Sequence, residues 1–185
     1  MPDYRLPFAD AQRLGLFPDL APIRADMRKA VGNLYAELIA DNPRMPFAEP
    51  APTCPDSELN ETQRALFGVA QMIEVTPPWP APLVPRMLWA ARLVGIGKTL
   101  DYIEQRIRMS GNDPDALVAA YASDPDRPGP GRRQWKSRFW RDPYTYADTE
   151  WWTSIDHPDH LEFNRRVFDF CLRRLPDLIA LDEQG

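Results

Sequence analysis

Both histidines of this sequence fall in one short stretch, DHPDHLEF at 156–163, where His157 and His160 stand three positions apart among Asp156, Asp159 and Glu162. On a helix that spacing turns two imidazoles toward one side, and with the Asp156 carboxylate it sketches part of a metal-ligand shell. The same residues also compose a helix N-terminus. Asp156 or His157 would cap it, Pro158 would sit in its first turn, and the acids would oppose the positive end of the helix dipole. Because this second reading accounts for the proline and the acids together, no metal is expected, and Asp156, His157 and His160 stand only as subsidiary ligand candidates.

A denser concentration of chemistry lies just upstream. GRRQWKSRFWRDPYTY, residues 131–146, interleaves five cations (Arg132, Arg133, Lys136, Arg138 and Arg141) with five rings (Trp135, Phe139, Trp140, Tyr144 and Tyr146). Trp, Tyr and Arg are the residue types that most often dominate the binding energy of a protein interface. The same pairing also suits nucleic acid or a phosphorylated ligand, with Arg on phosphates and rings stacked on bases. A purely structural use is open as well: Trp135, Phe139, Trp151 and Trp152 would fill the edge of a core while Arg stems cover the rings. If Gln134 to Arg141 is helical, Trp135 and Phe139 share one face.

Charge favours a focused contact over a broad one. Residues 127–146 hold six Lys/Arg against one acid, so with a total of −5 the remaining 165 residues carry −10. Such a body disfavours sequence-independent coating of DNA, which needs an extended basic face, but leaves room for one basic site. The sequence is therefore read as a non-enzymatic binding or adaptor protein that contacts an acidic protein partner through residues 131–152. Arg132, Arg133, Trp135, Lys136, Arg138, Trp140, Arg141 and Tyr144 are its partner-binding candidates. Nucleic-acid or phosphorylated-ligand binding through the same segment is one alternative, and a small enzyme with a helix-lined pocket is another.

Other candidate motifs carry less. VGIGKTL, 94–100, contains GKT, but a phosphate loop needs a glycine five positions before Gly97, where Arg92 stands, and no hydrophobic strand precedes it. Ala91, Gly95 and Ile96 have helix-turn-helix spacing, yet Asp101 and Glu104 occupy positions that should be apolar and would face phosphate unfavourably. Neither GxSxG nor HExxH occurs, and the absence of ExxH disfavours a ferritin-type di-iron bundle. No cofactor is expected. Cys54 and Cys171 are far apart without CxxC spacing, and Cys171 lies in an apolar helical pattern, which suits a reduced compartment and a buried thiol.

The elements that must position these residues read as helices. Leu20, Ile23, Met27, Val31, Leu34 and Leu38 recur at three and four, predicting an amphipathic helix over Asp19 to Ala40. A short helix over Ala9 to Leu14 precedes it. Further helices are expected at Ser57 to Glu74, capped by Asp56, Ser57 or Asn60, and from Pro85 to about Ile107, where Gly95 and Gly97 either admit another helix or split the element. Asp113 and Pro114 start a helix through Tyr121, and a last one runs from about Asp156 to Leu175, apolar on two flanks and therefore central. Of the 21 prolines, about twice the average share, many cluster in the connectors NPRMPFAEPAPTCP (42–55) and TPPWPAPLVP (76–85).

No segment shows sustained alternation of Val, Ile and Thr, so little or no sheet is expected. The fold class is thus all-α: one compact domain, 1–185, of about five main helices joined by proline-rich connectors. The N-terminal MPDYRLPFADAQ lacks the apolar core of a signal peptide, and the longest helix-compatible uncharged run, Ala65 to Ile73, is too short for a bilayer. A cytoplasmic location with no membrane partner is expected. The sequence sets neither the partner's identity nor the oligomeric state.

Overall fold

The structure is a computed structural model, and it describes residues 2–13, 38–39, 42–45, 47–48, 51–74, 81–109, 111–127, 129 and 158–180. These residues are mostly helical, as expected. The helices are α1 (Phe8–Arg13), α2 (Glu61–Glu74), α3 (Val84–Val94), α4 (Lys98–Met109), α5 (Pro114–Ser123), α6 (Pro158–Arg173) and α7 (Leu175–Leu178). Strand is limited to two-residue pairs. β1 (Leu6–Pro7) runs parallel to β4 (Ile179–Ala180), and β2 (Phe47–Ala48) runs antiparallel to β3 (Ala51–Pro52).

Local chemistry sets the boundaries. Asn60 Oδ1 accepts from the Gln63 amide at 2.9 Å while Gln63 Oε1 accepts from the Asn60 amide at 3.1 Å, a reciprocal capping box that starts α2 at Glu61. The helix expected from Ser57 therefore begins four residues later, and Asp56–Glu58 form a separate 3-10 turn. The long pattern after Pro85 is two helices. Gly95, left-handed at φ 76°, closes α3 by donating to the Ala91 carbonyl, and Gly97 at φ 56° turns the chain into α4. Asp113 caps α5 by accepting from the Asp115 amide at 2.9 Å, with Pro114 in the first turn.

Helices α2 and α3 pack together most extensively, and α3 also meets α4, α5 and α6. Helices α2 and α3 approach closely at Gly68, where a Cβ would lie 2.6 Å from the Ala90 Cβ and 3.0 Å from the Arg86 carbonyl. Two flanks of α6 are buried: Phe168 and Cys171 on one, Phe163, Val167 and Phe170 on the other. It is therefore a core helix, with α2, α3 and α4 against it. At its end α7 docks on the start of α2, where Thr62 Oγ1 donates to Asp177 Oδ2 at 2.6 Å and Asn60 Nδ2 to the Asp177 carbonyl at 2.7 Å.

Among the described residues no helix is long and apolar enough to cross a membrane. The helix expected over Asp19 to Ala40 lies outside the described residues except for Leu38 and Ile39, both buried. The first half of the 76–85 connector, Trp79 included, lies outside them too. Its last residues form a 3-10 turn at Ala81–Leu83 and the first turn of α3, which contains Pro85.

Candidate functional site

Three segments converge on one recess. Pro55 leads into the 3-10 turn at Asp56–Glu58, the Ala81–Leu83 turn runs into α3, and the loop after α5 returns through Pro125–Arg127 to Gly129. Ser57 donates its amide to Asp126 Oδ1 at 3.0 Å, which ties the first segment to the third. Gly129 ties the third to the second: a Cβ there would stand 2.5 Å from the Pro82 carbonyl oxygen, so only glycine fits. The result is a cavity of about 390 Å³ walled by Pro55, Pro82, Pro85, Pro125, Leu83 and Tyr121.

An ion pair lies at its base. Arg86 donates from Nε to Asp56 Oδ2 at 2.7 Å and from Nη2 to Asp56 Oδ1 at 2.5 Å. Tyr121 donates its hydroxyl to the same Oδ2 at 2.5 Å, and Arg86 Nη1 reaches Gln71 Oε1 at 3.2 Å. A buried carboxylate is tolerated when it is paired and hydrogen-bonded, and the Arg fork and the phenol together give Asp56 three hydrogen bonds. Burial, with the Asp56 charge and hydrogen bond behind it, pushes the Tyr121 phenol well above its ordinary value.

Aromatic packing extends this cluster. The Trp89 ring stands 5.3 Å from Tyr121, tilted by 57°, and the Arg64 guanidinium lies over Trp89 at 5.1 Å from its centroid. The buried Nε of Arg64 has no hydrogen-bond partner among the described residues. Also on the cavity wall, Cys54 is a free thiol whose pKa is raised by burial and then by the Glu58 carboxylate, so it stays protonated at neutral pH. The recess thus holds a carboxylate paired with Arg86 and Tyr121, a phenol committed as donor, a neutral thiol, and the exposed Asp126 and Arg127.

The residues singled out from sequence stand elsewhere. Arg132, Arg133, Trp135, Lys136, Arg138, Trp140, Arg141 and Tyr144 lie outside the described residues, as do Asp156 and His157. His160 falls in α6, described from Pro158, and the cap candidates Asp156 and His157 lie outside the described residues. Glu162 is engaged by Arg165 at 2.8 Å and Arg166 at 2.7 Å, and among the described residues no group of three His, Cys, Asp or Glu is placed to hold a metal. At the helix-turn-helix candidate, Glu104 does not face outward for phosphate. It pairs with Arg92 of α3, which also holds Asp115 of α5, both at 2.7 Å.

Asp56, Arg86 and Tyr121 were not legible as a site in the sequence. They are 30 and 35 positions apart along the chain, and Asp56 read only as a possible cap. A faint signal existed: Arg86 is a lone cation in the otherwise apolar first two turns, VPRMLWA, and such a charge needs a partner. The chain matches no protein-family model, no curated protein and no solved structure.

Proposed function

We propose that this chain is a non-enzymatic binding protein that contacts an acidic protein partner through its basic aromatic segment, residues 131–152. Arg132, Arg133, Lys136, Arg138 and Arg141 supply charge complementarity, and Trp135, Trp140 and Tyr144 supply the buried anchors. The observation that carries this reading is the charge segregation, six cations against one acid over 127–146 in a chain whose remainder sums to −10. An acidic body repels acidic partners everywhere except at one place, which fixes orientation and speeds encounter.

Two features of the recess support it. Along the chain the basic segment begins two positions after Gly129, the residue seated against Pro82. The Asp56 carboxylate is paired and the Cys54 thiol protonated, which favours binding over acid–base chemistry at these two groups. The test is an affinity capture from native extract with the native chain and with the variant Arg132→Glu, Arg133→Glu, Lys136→Glu and Arg138→Glu, after circular dichroism confirms that the variant folds. A specific protein retained by the native chain alone supports the reading; identical retention by both forms, or none by either, removes it. Retained nucleic acid with an affinity steep in salt would assign the segment to phosphate binding instead.

A further inference from the structure

The recess has unspent binding capacity of one kind. A guanidinium carries five N–H donors, and the Arg86 hydrogen bonds use three: Nε and Nη2 on Asp56, Nη1 on Gln71. Two donors remain without a partner among the described residues. Of the buried pair it is the cation that stays accessible, with 16% of the Arg86 side chain exposed against 3% for Asp56, and Arg86 lines the cavity. Both Asp56 oxygens are engaged by Arg86 or Tyr121 and the side chain is almost wholly buried, so an entering ligand meets the Arg86 donors before the Asp56 acceptors.

The surroundings add to this. Arg86 sits in the first turn of α3, an eleven-residue helix whose positive dipole end borders the cavity through Leu83 and Pro85. Arg127 contributes a second, exposed cation at the mouth, next to the exposed Asp126, which gives one oxygen to the Ser57 amide. Between base and mouth the walls are proline rings, Leu83 and the Tyr121 ring, which offer apolar surface and few donors. At about 390 Å³ the cavity falls in the range of roughly 300–1,000 Å³ that small-ligand sites occupy.

From these observations we infer that the recess is a binding site for a small organic carboxylate with an apolar body. The carboxylate takes the two spare N–H groups of Arg86, with Arg127 at the entrance, and the body lies against Pro55, Pro82, Pro85 and Tyr121. A guanidinium accepts a carboxylate and a phosphate alike, and the preference for a carboxylate on an apolar body comes from the walls, since a wholly polar anion would leave the proline rings uncovered. The site stands on its own residues and does not depend on the role of residues 131–152.

The test uses the full chain, labelled for nuclear magnetic resonance, titrated with benzoate, with the uncharged isostere benzamide and with inorganic phosphate. Benzoate is expected to give saturable shifts centred on Arg86 Nε, Tyr121, Arg127 and Gly129, with benzamide weaker by at least about tenfold and phosphate weaker than benzoate. Arg127→Gln should weaken benzoate about two- to fivefold, as loss of an exposed charge does. Arg86→Met should abolish binding if it folds; the native-chain titrations decide the matter if it does not. Equal binding of benzoate and benzamide, shifts scattered away from the recess, or no saturable shift at all would overturn the assignment.

Discussion

At the scale of single residues, Tyr121, Asp56 and Arg86 form one unit whose members are worth less apart than together. Removing the hydroxyl by Tyr121→Phe leaves one lone pair of a buried carboxylate unfilled, and should lower unfolding free energy by about 1–3 kcal/mol in a denaturant titration. Arg86→Met is expected to cost more, about 3–5 kcal/mol, because it strands the Asp56 charge; the triple replacement Asp56→Leu, Arg86→Met and Tyr121→Phe should cost far less than the summed single losses. The pH dependence follows from the phenols. The hydrogen bond to Glu58 holds Tyr4 up to about 12, and burial holds Tyr121 higher than its ordinary value. A folded pKa raised above the unfolded value of about 10 contributes stability that is fully present below pH 10 and is lost as pH rises through the folded value. Denaturation midpoints should therefore fall from about pH 10 upward, and Tyr121→Phe should flatten part of that fall. A midpoint indifferent to alkaline pH would contradict the hydrogen-bonded assignment of both phenols.

At the scale of elements, two glycines test two different physical demands. Gly68→Ala places a methyl 2.6 Å from the Ala90 Cβ and should force α2 and α3 apart, at a cost of about 1–3 kcal/mol. Gly95→Ala meets nothing within 4 Å, but its φ of 76° is left-handed, so its cost of about 1–2 kcal/mol is backbone strain alone. Melting temperatures separate them, since a compensating Ala90→Gly should rescue the first and leave the second untouched. Asn60→Ala removes both the α2 cap and the bond to Asp177, and a loss above the roughly 1 kcal/mol of a cap alone is expected. These elements show what the sequence made legible. Periodicity placed α2 and α6, and Asp113-Pro114 placed α5, because local chemistry decides that boundary. The start of α2 was set four residues early because Asp56, Ser57 and Asn60 are all competent caps, and only Gln63 answering Asn60 selects among them. Between splitting the helix and admitting a neighbour, the residues at 95 and 97 left the choice open, and positive φ at both glycines decides for splitting. Five helices of ten or more residues stand among the described ones, but not the five expected: one predicted helix became two, and Asp19 to Ala40 lies mostly outside them.

At the scale of the whole molecule, charge is organised more coarsely than any motif, and it was readable by counting: a segment of +5 on a remainder of −10. The recess was not readable, because its walls come from three segments spread between Cys54 and Gly129 and meet only through tertiary contacts such as the one between Gly129 and Pro82. The two features are adjacent along the chain, and the function proposed above rests on the first of them, while the proline-walled cavity is a separate feature with its own residues. The most direct test of the central claim is site-specific photocrosslinking. A photoreactive phenylalanine analogue is placed at Trp140 in one chain and, as a control, at Met109 in another, a position 63% exposed on α4 and remote in sequence from the basic segment. The account predicts one discrete protein adduct from position 140, absent from position 109 and suppressed by salt. The same adducts from both positions, nucleic acid in place of protein, or no adduct from position 140 would contradict it.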